Sequence, residues 1–439
     1  MAGPQEPIPI STKQARIAML AKKYSGERLK TLAHHMDVDW LREAFDRTRK
    51  DGATGIDGVS AKAFAANLEA NLESLHERAK SGLYRAPPVR RVEIPKGRGK
   101  TRSIGIPTFE DKVLQRAVVM LLEPIYEEEF YDFSHGFRPR RSAHGAHQEL
   151  RQVLWDWGGG WVLDADVSKF FDTLDRKQTQ EFVRKRVADG VVLRLIGKWL
   201  RAGISTGGGI MPSTAGTPQG GVISPLLANI YLHEVLDRWW VEDVLPRLEG
   251  RAQLVRYADD FVMVFSKEAD AKRVLEVLPL RFARFKLTLH PEKTRLVRHK
   301  RPPPDSNPPR GGSFDFVGFR HFWGRSRKGN WVPKVKTAPS RITRSLQAIK
   351  EWMARSRHLP LYVQARILSR KVQGHYNYFG VPGNSASIQN VYYLVERRWY
   401  RALSRRSQRY LTWTRFRAIV QRFPLPVPRL PPWRFGRLG

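Results

Sequence analysis

The sequence predicts an α+β body followed by a basic helical module, and three observations carry that reading. Strand-like and helix-like stretches are interleaved over the first three quarters of the chain. The charge balance then changes: from Lys334 to Gly439 there are 22 Lys and Arg against two acids, Glu351 and Glu396. Shortly before that change lies RPPPDSNPPRGG, residues 301–312, whose prolines and glycines continue neither a helix nor a central strand.

Taken in order, VRRVEIP (89–95) reads as a strand. Asp111 to Phe130 puts Val113, Leu114, Ala117, Val118, Leu121 and Leu122 on one helical face, with Thr108 as N-cap. WVLDADV (161–167) and LVRYADDFVMVF (254–265) are strand-like, the second broken by two adjacent carboxylates. SFDFVGFRHFW (313–323) alternates as one strand would. Helical spacing returns at Ile342, Leu346, Ile349 and Met353, then over Leu361–Tyr378 and Ile388–Leu403, with the turn-forming GVPGN (380–384) between the last two. The reading therefore divides the chain into a body, 1–335, a helical module, 336–410, and a short basic Pro-rich tail, 411–439. The last stretch, RFPLPVPRLPPWRFGRLG, has too much Pro for a helix and is expected to run extended.

Composition narrows the function classes. With 77 Lys and Arg against 42 Asp and Glu, the 439-residue chain has a formal charge of +35, typical of proteins that hold polyanions. Interleaved Trp, Tyr and Phe can stack on bases, which favours nucleic acid over an anionic membrane. The absence of cysteine excludes disulfides and thiolate metal sites. No run of about eighteen apolar residues spans a membrane, and the N-terminal stretch lacks a signal pattern, so the protein is expected to stay in the cytosol. His135, His144 and His147 are not read as a zinc site, because no supporting ligand set accompanies them.

The chemistry-bearing residues are carboxylates. Alternation puts Val162, Asp164 and Asp166 on one strand face, with Asp166 near the strand end. Asp259 and Asp260 interrupt an apolar pair of strands, a costly arrangement unless they face a turn, water or metal, so they are read as a hairpin tip with Asp259 the stronger ligand. Carboxylates from two separate strands can bridge two Mg2+ ions roughly 3.5–4 Å apart, with Mn2+ as a substitute.

Several segments together resemble bacterial group II intron reverse transcriptases. In order they are GATGIDGVS (52–60), IPKGRGKTRSIGIPTFEDKVLQ (94–115), SHGFRPRRSAHGA (134–146), DADVSKFFD (164–172), GTPQGGVISPLLANIYL (216–232), YADDFV (257–262), HPEKT (290–294) and FDFVGF (314–319). A looser match follows in GHYNYFG (374–380) and RRWYRALSRRSQRYLTWTRF (397–416). The resemblance implies a right-hand polymerase fold, with fingers and palm in 1–335 and a thumb or maturase domain in 336–410. It implies an RNA-directed DNA polymerase that takes an RNA template, a DNA primer or target, dNTPs and structured intron RNA, and that assists splicing. A domesticated or defence-associated reverse transcriptase is the alternative, and a polymerase-inactive maturase is disfavoured by the intact carboxylates.

By the same resemblance, Asp166, Asp259 and Asp260 are catalytic metal ligands. Lys96 and Arg102 hold the incoming triphosphate, with a solvated basic loop as the alternative, and Phe171 is a gate against the ribose 2′-hydroxyl, with core packing as the alternative. Gln219 and Gly220 lie where free backbone N–H groups meet the nucleotide or template pair. Lys293 stands near the departing pyrophosphate, or is merely exposed. Arg138, Arg140, Arg141 and Tyr257 contact primer or template. No His/Cys or His-Asn-His cluster follows Trp413, so the resemblance is to the form lacking the HNH nuclease, and second-strand cleavage is not expected.

Overall fold

The computed structural model describes residues 9–97, 100–206, 209–211, 220–307, 312–406 and 411–430. Helices and sheets are mixed along the chain, as an α+β reading requires. The chain divides into two compact units, one of residues 1–142, 165–261 and 272–294, the other of 143–164, 262–271 and 295–439. The division passes through the strands Gly159–Asp166 and Asp260–Phe265, and the acid-bearing ends of both fall in the first unit. Among the described residues, no helix is long and apolar enough to cross a membrane.

The first unit is built around the helix Phe109–Glu127, and the Thr108 hydroxyl caps it by accepting from Asp111 N. All six residues expected on its apolar face are fully buried, and Met120 and Ile125 extend burial around the helix. Gln14, on the helix Ile10–Lys23, and Trp40, on Val38–Arg47, hydrogen-bond the carbonyls of Met120 and Ala117 and hold those helices against it. A four-stranded sheet runs in the order Lys100–Ile106, Val89–Gly97, Ile204–Thr206, Gly209–Met211. Its first pair is antiparallel, with Ile94 opposite Arg102, and its middle pair is parallel.

In the second unit, residues 159–164 pair antiparallel with the strand Arg295–Lys300, placing Asp164 opposite Arg295. The stretch 313–323 differs from the single strand expected. It is a hairpin of Phe314–Phe316 and Phe319–Arg325, turned at Val317 and Gly318, both at positive φ. Alternation alone cannot signal this, since Val at φ 43° is disfavoured on its own and is held by tertiary contacts such as Tyr378 Oη donating to its carbonyl. The helices Pro339–Arg355, Leu361–Phe379 and Ser385–Ser404 match the three expected helical segments. Their buried stripes include Leu346, Leu368 and Trp399, while Arg344, Lys350, Arg366, Arg370, Arg397 and Arg401 are exposed. The expected tail contains one more helix, Trp413–Arg422, capped by Thr412 and pinned by Phe416 against Trp399 and Tyr400.

This unit also buries four histidines. His147 packs on Phe319, His321 stacks on Phe314, and His299 meets Phe314 edge-on. Burial pushes His147 down to about 3, His299 and His375 to about 4, and His321 well below the ordinary value near 6.5. The folded rings refuse protons that the unfolded chain accepts. Their stability contribution is therefore complete above about pH 6.5 and is lost progressively as pH falls from there through 4 to 3. Hydrogen exchange in Phe314–Phe316 and Phe319–Arg325, corrected for intrinsic rates, is expected to rise more than about tenfold between pH 7.5 and 5.5. Equal protection at both values would contradict this.

Candidate active site

The strand Ala252–Tyr257 leads into the two-residue turn Ala258-Asp259, and Asp260 opens the next strand. Ala258 stands at φ +57°, a left-handed conformation suited to a two-residue turn but unfavourable for a residue with a Cβ. The surroundings hold it there. Gly136 lies so close that an added Cβ would sit 2.2 Å from Ala258 N and 2.9 Å from Tyr257 C. Asn229 Nδ2 donates to Gly136 O at 2.6 Å, and a parallel bridge joins Ser134 to Arg256.

Asp166 ends its own strand and is tied in by backbone bonds. His290 N donates to Asp166 O at 2.7 Å, Ser168 N donates to Thr288 O at 2.8 Å, and Val167 bridges Leu289. That pairing brings Lys293 to Asp166, where its ammonium forms an ion pair with the carboxylate. Asp166 also lies within electrostatic reach of Asp259. Burial first, and then the Asp166 charge, push the Asp259 carboxyl above its usual range, while Arg102 and Arg256 act in the opposite sense. Carboxylates far apart in sequence thus converge with the strand that carries Arg102. Asp166 and Asp259 offer hard oxygens of the kind divalent cations take, but among the described residues no group of three or more acidic or histidine side chains comes together as a ready-made metal site, so Asp260 is not drawn to the other two.

The remaining expected residues have diverse placements. Arg102 is exposed on Lys100–Ile106; Lys96 lies on the neighbouring strand, but its side chain, like all of Gln219, is outside the described residues. Gly220, at φ +122°, packs its backbone on that same hairpin of Val89–Gly97 and Lys100–Ile106, where a Cβ would meet Gly105 O and Ile104 Cγ2 at 2.6 Å. Phe171, in the short helix Phe170–Thr173, is 8% exposed against 2% for Phe170, and the two rings meet edge-on at 5.4 Å. Tyr257 is half-buried, with Phe137 at 6.4 Å between ring centroids.

Arg140 is exposed at φ +58°, and Arg141 pairs with the exposed Asp132. Arg138 corrects the expectation of a primer or template contact. Its side chain is 3% exposed, and its guanidinium bonds Glu127 and the carbonyls of Tyr131 and Ser134, so it braces the loop. A basic run conceals this, because burial is decided by the fold around it. Sequence reasoning also passed over Arg256 and Asp237, a fully buried ion pair behind the acidic turn. The signal was present, an arginine within the otherwise apolar LVRYADDFVMVF.

Comparison with known proteins accords with this geometry. A family profile described as reverse transcriptase (RNA-dependent DNA polymerase) matches residues 94–321. Protein YkfC of Escherichia coli is 34% identical over 378 residues, covering 77% of this chain and 95% of that protein. The group II intron-encoded protein LtrA of Lactococcus lactis is 33% identical over 293 residues, 53% of this chain and 48% of LtrA, so the chain spans about half of that relative. A putative COX1/OXI3 intron 1 protein of Saccharomyces cerevisiae is 30% identical over 210 residues, 48% of this chain and 25% of that protein.

Proposed function

The chain belongs to the reverse transcriptase family, in its group II intron branch, and from that premise we propose that it copies RNA into cDNA with Asp166, Asp259 and Asp260 as ligands of two Mg2+ ions. The observation that carries the mechanism is that Asp166, paired with Lys293 and tied to residues 288–290, acts electrostatically on Asp259 in the acidic turn, as does Arg102. Reverse transcriptases use divalent ions, and such a pair, when bound, acidifies the primer 3′-hydroxyl and stabilises the leaving pyrophosphate. The repulsion between the two carboxylates and the burial of Asp259 favour a cation there.

The chain's own groups supply position and charge. Arg102, with Lys96, offers a planar fork and a point charge to the triphosphate. Lys293, already beside Asp166, can turn its ammonium to the departing pyrophosphate and give it a proton. Backbone N–H groups at Gln219 and Gly220 meet the nucleotide and templating base, Tyr257 supports the primer end, and Arg140 and Arg141 track the nucleic-acid backbone. The exposed cations among the described residues of 336–410 act as a thumb and maturase surface, holding template–primer and intron RNA, while 1–335 forms fingers and palm and 411–439 an appended basic tail.

Primer extension on an RNA template with Mg2+ and dNTPs tests this reading, and a wild-type chain that leaves the primer unextended would refute it. In the same assay Phe171→Ala is expected to raise incorporation of ribonucleotides relative to deoxynucleotides by on the order of tenfold, because the ring that would meet a 2′-hydroxyl is gone. Unchanged discrimination would reduce Phe171 to a packing residue against Phe170.

A further inference from the structure

Arg256 and Asp237 are both fully buried, and together they form the strongest polar feature that the proposed chemistry leaves unused. Arg256 lies two residues before Ala258 on the strand that leads into the acidic turn. All of its donor capacity is engaged. Nε donates to Asp237 Oδ1 at 2.8 Å, and Nη2 donates to Asp237 Oδ2 at 2.5 Å and to Ser134 Oγ at 2.7 Å. Nη1 donates to Asn229 Oδ1 and to the Ala258 carbonyl, each at 3.1 Å.

Two features argue that this pair serves the turn rather than stability. A buried ion pair is commonly no more stabilising than apolar side chains of equal volume, so stability alone does not account for it. Moreover, Asp237 stands in a π-helical stretch, His233–Asp237, a widened geometry that recurs at functional sites. The backbone of Ala258 is consequently held on both sides, its N–H against Gly136 and its carbonyl by Arg256. Asn229 joins the two grips, since it accepts from Arg256 and donates to Gly136 O.

We propose that Arg256, anchored by Asp237, is a positioning residue for the acidic turn: by holding the Ala258 carbonyl it fixes the direction in which Asp259 presents its carboxylate to a divalent cation. This rests on the polymerase reading of the same site. Groups that orient metal-ligating carboxylates without touching the metal typically contribute 10–100-fold to metal affinity or rate.

The test uses the full chain, with Mn2+ as probe. Free Mn2+ is followed by its paramagnetic resonance signal without substrates, and kcat and KM for dNTP are measured on an RNA template. Arg256→Lys keeps the charge but loses the fork that reaches both Asp237 and Ala258, while Asp237→Asn keeps the shape and loses the ion pair. Each is expected to weaken Mn2+ binding and lower kcat by about tenfold or more, with KM for dNTP changing by less than about twofold. Wild-type Mn2+ affinity and kcat in folded Arg256→Lys overturn the proposal, as does a change confined to KM. If neither variant folds, Ser134→Ala, which removes one acceptor from Nη2, decides by the same titration: a loss of about threefold supports the strut, and none overturns it. A wild-type chain that extends no primer defeats the polymerase reading instead, and the Mn2+ titration still judges the strut.

Discussion

Primer extension by Asp259→Ala is expected to fall at least about a thousandfold while the fold remains intact. Asp259 is half-buried in the turn and carries a charge raised in energy by burial and by Asp166. In the metal-free protein that charge is a liability. Its folded pKa lies above the unfolded value, so the penalty is complete above the folded value and is relieved as pH falls through it toward the unfolded one. Removing the carboxylate should therefore leave the metal-free melting temperature unchanged or higher, while abolishing the cation's ligand. Loss of rate with retained or increased stability separates a chemical role from a structural one. Single-turnover extension with Mg2+, paired with thermal unfolding in chelator, provides both readouts. Residual activity above about a tenth of wild type would remove Asp259 from the chemistry.

Gly136→Ala is expected to lower the extension rate by about a hundredfold without touching any group that carries charge. The added methyl would stand 2.2 Å from Ala258 N, and the obstruction is backbone, which cannot rotate away as a side chain can. Something must shift, and the turn before Asp259 is the element in the way. A displacement of even about 1 Å at a reacting geometry has a cost of this order. The extension assay on the purified variant reads the effect, and a rate within about threefold of wild type would show that the turn tolerates displacement.

Much of the local architecture was legible in the chain. The Thr108 cap, the apolar face of Phe109–Glu127 and the three helices between Pro339 and Ser404 follow from periodicity and capping, which act over a few residues. The acidic turn was legible too, because two charges inside an apolar strand run are tolerated at few places other than a tip. The hairpin at Val317-Gly318 and the helix Trp413–Arg422 were not. The first needs a strained φ stabilised from outside, and the second is held by aromatic contacts with another helix.

What the sequence determined by itself was the inventory: which segments are helical or extended, where the acids sit, and a net charge of +35 that favours a polyanionic partner. Only the tertiary structure decided which of these groups meet. Pairing of 166–168 with 288–290 brings Lys293 to Asp166, and the turn sets Asp259 within reach of the same charge. Folding likewise turned Arg138 and Arg256, two cations in a strongly basic chain, into buried struts. The physical reason is separation along the chain. Helix and strand periods are written in neighbouring residues, whereas the contact of one carboxylate with another depends on how whole elements pack, and no local pattern encodes that.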